Sequence, residues 1–555
     1  MARKSKKIDT KKTIPHSSFL IPNFFISLLF VVSCRPQAPV IYSISPQIGN
    51  TGEPLAIQGA NFGNEKGASS VTVAGVQPTG TSYLEWRNNE IKIIVPEFSE
   101  AGLVYVHVRG RKSNGMLYSN RASLPKQAAG VAYGQGPRAA SITPQIGAIG
   151  TLVSITGTGF GNTRGSGGVF FSWDAKKTAS APAEIIQQEF IEASGADFDI
   201  ELWTEREIRV HVPDGAVSGN VEVRTSRGSS PPLFIDLANR PGTKTFHDKR
   251  NFIISCSVNI KTGAAEKPNT LYLWVPRPAA LSSQRNTEIL SSSTEPFIEN
   301  YRGISIFKLD NLAAYSETRL NISWKVEVYS IETAIRPQSI RQEAASPARD
   351  EYTKSAPQLP SADPRIKNQA AAIVGREQNP YIKAQKIYEW MLKEFSFTQN
   401  LSDSDVFSAL EKKKADFYTA AMLYSSLLRS AGVPCMPVAG VLVSRSRQTM
   451  NHWWAEFWID GFGWVPADPV MGADAVPAQF GDRPDRENYY FGNIDSQRIA
   501  FSRGFSDLAQ MDPRGRTVAH GRSYALQNLW EESVGGIESY SSLWGAVTIT
   551  GMYAQ

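Results

Sequence analysis

Two residues near the C-terminal end have side chains and a spacing that suit acid–base chemistry. His452 begins the aromatic segment 452–458, and Asp468 follows sixteen positions later in the segment 463–469. An imidazole can carry a proton to and from a reacting group, and a carboxylate can hold that imidazole in one tautomer and orientation. Such a pair serves a nucleophile, so the residue that would supply the attacking atom decides the chemistry.

The segment 413–421 precedes this pair and places Phe417 thirty-five residues before His452. With the apolar helical pattern that follows it, this segment resembles the nucleophile helix of the transglutaminase-like thiol enzymes, in which a Cys opens the helix. His452 and Asp468 match the family's His and Asp in order and spacing. The resemblance implies an α+β, papain-like domain with two members of a catalytic triad and Phe417 at the nucleophile position.

Phe417 changes the chemistry that this resemblance implies. A thiolate at a helix N-terminus is stabilised by the helix dipole and a neighbouring imidazolium, and it attacks an amide carbonyl to form an acyl-enzyme. A benzyl side chain can neither ionise nor attack a carbonyl. Ala415 and Ala420 also depart from the family's Gly-Asp-Cys-x-x-His/Tyr-Ala pattern, so three positions differ together. We therefore predict that His452 and Asp468 are triad remnants, with the Phe417 ring beside the imidazole.

The three cysteines of the chain offer little replacement for the missing thiol. They are Cys34, Cys256 and Cys435. Cys435 follows Phe417 by about a dozen helical residues and a turn, and a helix of that length separates its ends by roughly 20 Å. We predict that Cys435 is a small buried apolar residue. Asp416 and Tyr418 flank Phe417 and are the remaining candidates for an oxygen nucleophile.

The N-terminus carries most of the positive charge of the chain. Residues 1–12 contain six Lys and Arg against one Asp, a net of +5, and the whole chain has +6. An apolar run follows over 19–32, and 31–34 resembles a bacterial lipobox. We interpret 1–34 as a lipoprotein signal peptide with Cys34 as the lipidated residue. The alternatives are a chance Cys after a signal peptide and an uncleaved anchor helix.

An internal repeat organises the N-terminal half. Residues 44–49 recur as 142–147, and 57–64 recur as 155–162, both at an offset of 98. Later motifs match at an offset of 117, which indicates a 19-residue insertion between Trp173 and Leu202. The Ser-Pro opening and the Gly-x-Phe-Gly turn resemble IPT/TIG immunoglobulin-like domains. The resemblance implies two β-sandwiches, over 38–125 and 137–238.

Residue patterns divide the rest of the chain into three regions. Alternating strands predict a third β-domain over 245–332. The polar, proline-punctuated stretch 336–365 reads as a linker. A helical period then begins, and 366–555 is assigned to the transglutaminase-like domain with a C-terminal extension. The predicted fold is therefore multidomain: two IPT/TIG sandwiches, a third β-domain and a C-terminal α+β transglutaminase-like domain.

These features predict an exported, lipid-anchored protein of the bacterial cell envelope, on the periplasmic side or the cell surface. Its membrane contact is the lipid on Cys34, and its degenerate transglutaminase-like domain is expected to bind or scaffold a protein or peptide partner. The alternatives are an active transglutaminase-like or cysteine-peptidase-like enzyme and a structural stalk. No cofactor or metal ion is expected. A mature net charge of about +1 argues against nucleic acid as a partner.

Overall fold

The structure is a computed structural model that describes residues 37–96, 102–120, 136–174, 189–194, 199–238, 240–341, 347–400, 405–481 and 483–554. The predicted signal peptide over 1–34 lies outside these ranges, so lipidation of Cys34 stays a prediction. No helix within the described ranges is long and apolar enough to cross a membrane.

The described residues between 37 and 120 form a β-sandwich. Its described strands are β1 Val40–Ser45, β2 Ile48–Gly49, β3 Pro54–Ala60, β4 Ser70–Val73, β5 Tyr83–Trp86, β6 Glu90–Ile94, β7 Gly102–Val108, β8 Arg111–Lys112 and β9 Met116–Asn120. One sheet has the order β1-β3-β6-β5 and the other β2-β9-β7-β4, with β8 on β7. Leu55 and Ile57, two positions apart on β3, both point into the core and are fully buried.

The second repeat folds with the same strand order. Its described strands are β10 Arg138–Thr143, β11 Ile146–Gly147, β12 Leu152–Thr158, β13 Gly168–Trp173, β14 Glu189–Glu192, β15 Ile200–Trp203, β16 Glu207–His211, β17 Gly219–Thr225, β18 Gly228–Ser229 and β19 Leu233–Leu237. The order β10-β12-β16-β15 repeats β1-β3-β6-β5. The predicted insertion contributes β14, which pairs with β13 at the edge of the second sheet.

A third β-domain follows, built on much longer strands. They are β20 Gly242–Thr262, β21 Ala265–Pro276, β22 Gln284–Ser292, β23 Ile298–Tyr301, β24 Ile304–Asp310 and β25 Glu317–Ile335. β20 and β25 pair along almost their whole length, from Gly242 opposite Ile335 to Lys261 opposite Glu317. The apolar face predicted for β25 is buried, with Trp324 fully enclosed.

The stretch 336–365, predicted as a linker, packs in part against the last domain. It contains a 3-10 turn at Pro337–Ser339, α1 Pro347–Tyr352 and the start of α2 Pro364–Val374. The Tyr352 ring packs edge-on against Trp464 at 5.2 Å, and Leu359 is 1% exposed in the core of the last domain. The stretch is polar on average, yet Tyr352 and Leu359 are buried, and their burial holds it against the domain.

The transglutaminase-like region packs helices on a four-stranded sheet. Its further elements are α3 Pro380–Glu394, β26 Ser396–Thr398, α4 Val406–Lys412, β27 Lys414–Asp416, α5 Phe417–Ser430, β28 Cys435–Val443, β29 Thr449–Ile459, β30 Gly463–Ala467, α6 Pro469–Gly472, α7 Arg486–Tyr489 and β31 Arg498–Arg503. The sheet order is β30-β29-β28-β31. α5 is buried over most of its length and joins this sheet and the preceding helices in one apolar core.

The C-terminal strands, which lie in the predicted extension of the range 366–555, pair with the third β-domain and not with the four-stranded sheet. The strands are β32 Arg516–Val518, β33 Glu531–Ile537, β34 Tyr540–Trp544 and β35 Thr548–Ala554. β33 pairs with β21, and β34 and β35 pair with β20. The long strands β20 and β21 have backbone edges that need hydrogen-bond partners, and the end of the chain supplies them.

The second sandwich contacts the strand that leads to Asp468. Lys244 Nζ donates to the carbonyl oxygen of Trp464 at 2.6 Å, and Asp214 Oδ1 accepts from the Trp464 backbone N–H at 3.2 Å. Lys244 also forms an ion pair with Asp214. These contacts hold β30 in place immediately before the chain reaches the candidate site.

Candidate functional site

The N-terminus of α5 carries a capping carboxylate and a buried aromatic ring. Asp416 is the N-cap, and its Oδ1 accepts from the Thr419 backbone N–H at 2.7 Å. Phe417 is the first helical residue and is fully buried. The partial positive charge of the helix end would stabilise an anion here, but a benzyl ring carries none.

His452 lies directly beside that ring. The two ring centroids are 5.7 Å apart and the planes meet at 72°, an edge-to-face arrangement. The imidazole is fully buried, and its Nε2 lies 2.8 Å from Asp468 Oδ2. Its Nδ1 has no hydrogen-bond partner among the described residues. The imidazole therefore lies between the Asp468 carboxylate and the Phe417 ring.

A glycine opposite His452 lets two strands approach closely. Gly440 on β28 pairs with His452 on β29, and its other neighbour is β31. A Cβ at Gly440 would lie 2.0 Å from the backbone oxygen of Ile499, closer than any side-chain atom can approach. The absence of a side chain therefore brings β31 close, and with it the side chain of Arg498.

Asp468 joins three elements through one carboxylate. It follows β30 and caps α6, where its Oδ1 accepts from the Met471 backbone N–H at 3.1 Å. Its Oδ2 accepts from His452 and from Arg498 Nη1, the latter at 3.0 Å. Burial acts to raise the pKa of Asp468, but His452 and the Arg498 guanidinium outweigh it, so the pKa lies below its ordinary value.

Arg498 extends this pair into a buried network that sequence reasoning missed. Its Nη2 donates to Asp495 Oδ2 at 3.0 Å, and that oxygen also accepts from the Tyr490 hydroxyl at 2.9 Å. Arg498 is 3% exposed, and burial acts to lower its pKa, but the two carboxylates outweigh burial and raise it. The sequence held a signal for this network, because Arg498 directly precedes the apolar run 499–501, and a charge in a buried strand needs a partner.

Cys435 lies at the other end of the sheet. It pairs with Phe457, five residues along β28 from Gly440, a separation of roughly 17 Å at strand spacing. It is fully buried, and burial raises the pKa of its thiol to about 12. The other described cysteine, Cys256, is buried in the third β-domain, and burial raises its thiol pKa to about 12 as well. Neither thiol is placed or ionised for attack.

Asp416 and Tyr418, the oxygen-bearing neighbours of Phe417, have side chains that are engaged in other contacts. Asp416 uses one oxygen for its helix cap and the other for an ion pair with Arg522. The Tyr418 ring packs edge-on against Trp453 at 5.7 Å, and burial raises the pKa of its hydroxyl. An activated oxygen nucleophile would need a neighbouring base and a lowered pKa, and these contacts supply neither.

The described residues contain no group of three or more His, Cys, Asp or Glu side chains that could hold a metal ion. The structure thus brings Phe417, His452 and Asp468 together and places Cys435 apart from them, while Cys34 lies outside the described residues. The catalytic role of His452 and Asp468 stays a prediction.

Comparison with protein families identifies two regions. Residues 39–123 match the IPT/TIG domain, and residues 367–469 match the Transglutaminase-like superfamily. The second range contains Phe417, His452 and Asp468. The predictions of an N-terminal IPT/TIG domain and a transglutaminase-like domain are therefore confirmed.

Similarity to individual proteins is low. An uncharacterized protein of Haemophilus influenzae is 25% identical over 186 residues, which cover 27% of this chain and 49% of that protein, so the match spans about half of the relative. A candidate cysteine protease from Cytophaga hutchinsonii has 14% identity and a TM-score of 0.34, covering 56% of this chain and 92% of that one. A candidate protease from Parabacteroides distasonis has 14% identity and a TM-score of 0.18, covering 58% and 64%. At these scores the similarities carry no information on activity.

Proposed function

We propose that this protein is an exported, lipid-anchored component of the bacterial cell envelope whose transglutaminase-like domain binds or scaffolds a protein or peptide. It performs no thiol catalysis. The two sandwiches act as spacers and interaction modules that carry the C-terminal part of the molecule away from the membrane.

The observation that carries this proposal is the buried ring of Phe417 at the helix N-terminus, 5.7 Å from the His452 ring. Covalent catalysis requires a nucleophile whose proton the imidazole can take, and a benzyl carbon has none to give. The ring also occupies the space that an acyl group would need beside the imidazole. The site therefore lacks both the attacking atom and room for the intermediate.

The retained polar network is consistent with a structural role. Asp468 and Asp495 both accept hydrogen bonds from the buried guanidinium of Arg498, and Asp468 also lies 2.8 Å from His452 Nε2. Removing one partner would leave another buried and unpaired, at a cost of about 1–3 kcal/mol or more for a charged group. Stability alone can thus account for His452 and Asp468 in a domain without turnover.

The absence of catalysis is tested by assaying the purified protein for peptide hydrolysis and for transfer of glutamine acyl groups to a fluorescent amine. The wild type and His452→Ala should both give background rates. Turnover by the wild type that is lost in His452→Ala would contradict the proposal and favour the active-enzyme alternative.

The anchoring is tested by expressing the full chain in a bacterium and separating membrane from soluble fractions. The wild type should partition into the membrane and into detergent, and Cys34→Ala should release or mislocalise it. Retention of Cys34→Ala in the membrane with an intact N-terminus would show an uncleaved anchor and contradict lipidation.

A further inference from the structure

Strand β29 is about twice as long as β30, the strand that pairs with one of its edges. It runs over Thr449–Ile459, while β30 runs over Gly463–Ala467 and pairs only with Ala455 through Ile459. The chain then turns away at Asp468 into α6. The first residues of β29 therefore have a strand partner on the β28 side and none on the β30 side in the described part of the chain.

The backbone groups that point to this open side can be identified from the hydrogen bonds nearby. The Ser444 N–H donates to Gln448 O across the hairpin, and the Val443 N–H donates to Gln497 on the far side of β28. The backbone N–H and C=O groups of successive residues point to opposite sides of a strand. Those of Met450 therefore point toward β28, while those of Thr449 and Asn451 point away from it. In the described part of the chain, β29 has no strand partner at Thr449 and Asn451 other than β28, and the hydrogen bonds outside strand pairing include none from the backbone N–H or to the C=O of these two residues.

The open edge borders a groove. A cleft of about 580 Å³ is lined by residues that include Gln448, Thr449, Gln479 and Val547, and its volume lies within the range of about 300–1,000 Å³ typical of ligand sites. Thr449 Oγ1 donates to Val547 O at 2.7 Å, which holds one wall of the cleft against β29. Asn451, one pleat further along the edge, is exposed.

The lining of the groove favours one class of ligand. Arg447 is the single charged residue among its described lining residues, and the rest are amide, hydroxyl and apolar side chains. Exposed backbone donors and acceptors at strand spacing are matched by another extended backbone. The positive charge of Arg447 selects for a carboxylate within that segment.

We propose that this groove binds an extended, acidic polypeptide segment of a partner protein, which pairs as an added strand with the backbone of Thr449 and Asn451. This inference rests on the proposed binding function and names the ligand class. The site lies near the triad remnants on the same strand but uses none of their side chains.

The test begins with a random dodecapeptide phage library selected on the full-length protein. Enriched peptides are synthesised and their dissociation constants measured with wild type, Asn451→Pro and Asn451→Ala. Proline removes the N–H of residue 451, which faces the open edge beside the groove, without removing one that faces β28. Proline already occurs within neighbouring strands, as Pro466 in β30 and Pro437 in β28. Asn451→Ala keeps the N–H and is the matched control.

We expect enriched peptides to carry Asp or Glu and to bind Asn451→Pro about tenfold or more weakly, with Asn451→Ala close to wild type. Arg447→Glu should weaken binding as well. A peptide with N-methyl groups at alternate positions should lose binding, because its backbone can no longer pair. Equal binding to wild type and Asn451→Pro would overturn the proposal, and so would selection that yields no binder.

Hydrogen exchange gives a second measurement if Asn451→Pro does not fold. In the wild type, saturating peptide should slow exchange in the segment that contains Asn451 by about tenfold or more. Unchanged exchange there would overturn strand addition. These outcomes are independent of the catalytic assays, since a groove that binds nothing leaves the lack of turnover intact, and His452-dependent turnover leaves the edge measurements valid.

Discussion

The two ends of α5 have opposite surroundings. At its start Phe417 lies beside His452, within reach of the helix dipole and the Asp468–Arg498 network. Beyond its end lies Cys435, whose carbonyl oxygen accepts from Arg429 Nε at 2.7 Å and whose thiol is sealed in the apolar core. The start of α5 has the helix dipole and the imidazole that would stabilise a thiolate, but no thiol. The thiol of Cys435 lies beyond the other end of α5, in apolar surroundings that do not stabilise a thiolate. Position in the fold decides whether a cysteine is reactive.

This difference is tested most directly by thiol labelling. Iodoacetamide should leave Cys256 and Cys435 of the native wild type unmodified at neutral pH, because both thiols are buried with a pKa of about 12. Phe417→Cys should be labelled at residue 417, and adding His452→Ala should slow that reaction. Mass spectrometry locates the label. Rapid modification of Cys435 in the folded wild type would remove the distinction.

The polar network at the start of the helix should be the costliest feature to break. Arg498→Met leaves two buried carboxylates without their cation and should lower the free energy of unfolding by about 3–5 kcal/mol. Denaturant unfolding measures this change. Arg514→Met removes an ion pair whose Arg is 86% exposed and should have little effect. Similar losses in both variants would show that the buried network has no special importance.

The packing of the Phe417 ring can be measured in the same assay. Phe417→Cys replaces a large buried ring with a small thiol and should cost about 2–4 kcal/mol through the cavity it leaves. Phe417→Leu keeps more of the volume and should cost less, about 1.5 kcal/mol. If both variants were as stable as the wild type, the ring would not be filling the space beside His452.

A pH-dependent effect, absent at neutral pH, is expected from Cys435 beyond the other end of α5. The pKa of Cys435 is raised to about 12 in the folded state, so the unfolded thiol ionises first. Its contribution to stability is complete below the unfolded pKa of about 8.5 and is lost as pH rises toward 12, at up to about 1.4 kcal/mol per pH unit. Cys435→Ala should therefore flatten the decline of unfolding free energy between pH 9 and about 11. An unchanged slope would mean that the thiol is not buried as described.

Local patterns were sufficient to predict the repeated sandwich, because matching turns and alternating strands recur at one offset, and the start of α5, because Asp416 caps an apolar helical run. They could not show where the linker and the C-terminal extension pack. Leu359 is buried against a domain that comes later in the chain, and β35 pairs with β20 nearly three hundred residues earlier. Neither partner is visible in a local window.

The sequence by itself determined which residues form the candidate site, since Phe417, His452 and Asp468 can be identified from order and spacing. Only the tertiary structure decided what surrounds them. Arg498 reaches Asp468 because Gly440 lets β31 approach, and Asn451 lies on an open edge because β30 stops at Ala467. Both depend on where separate strands meet, and strand pairing between distant segments is set by packing of the whole domain rather than by local residue preference.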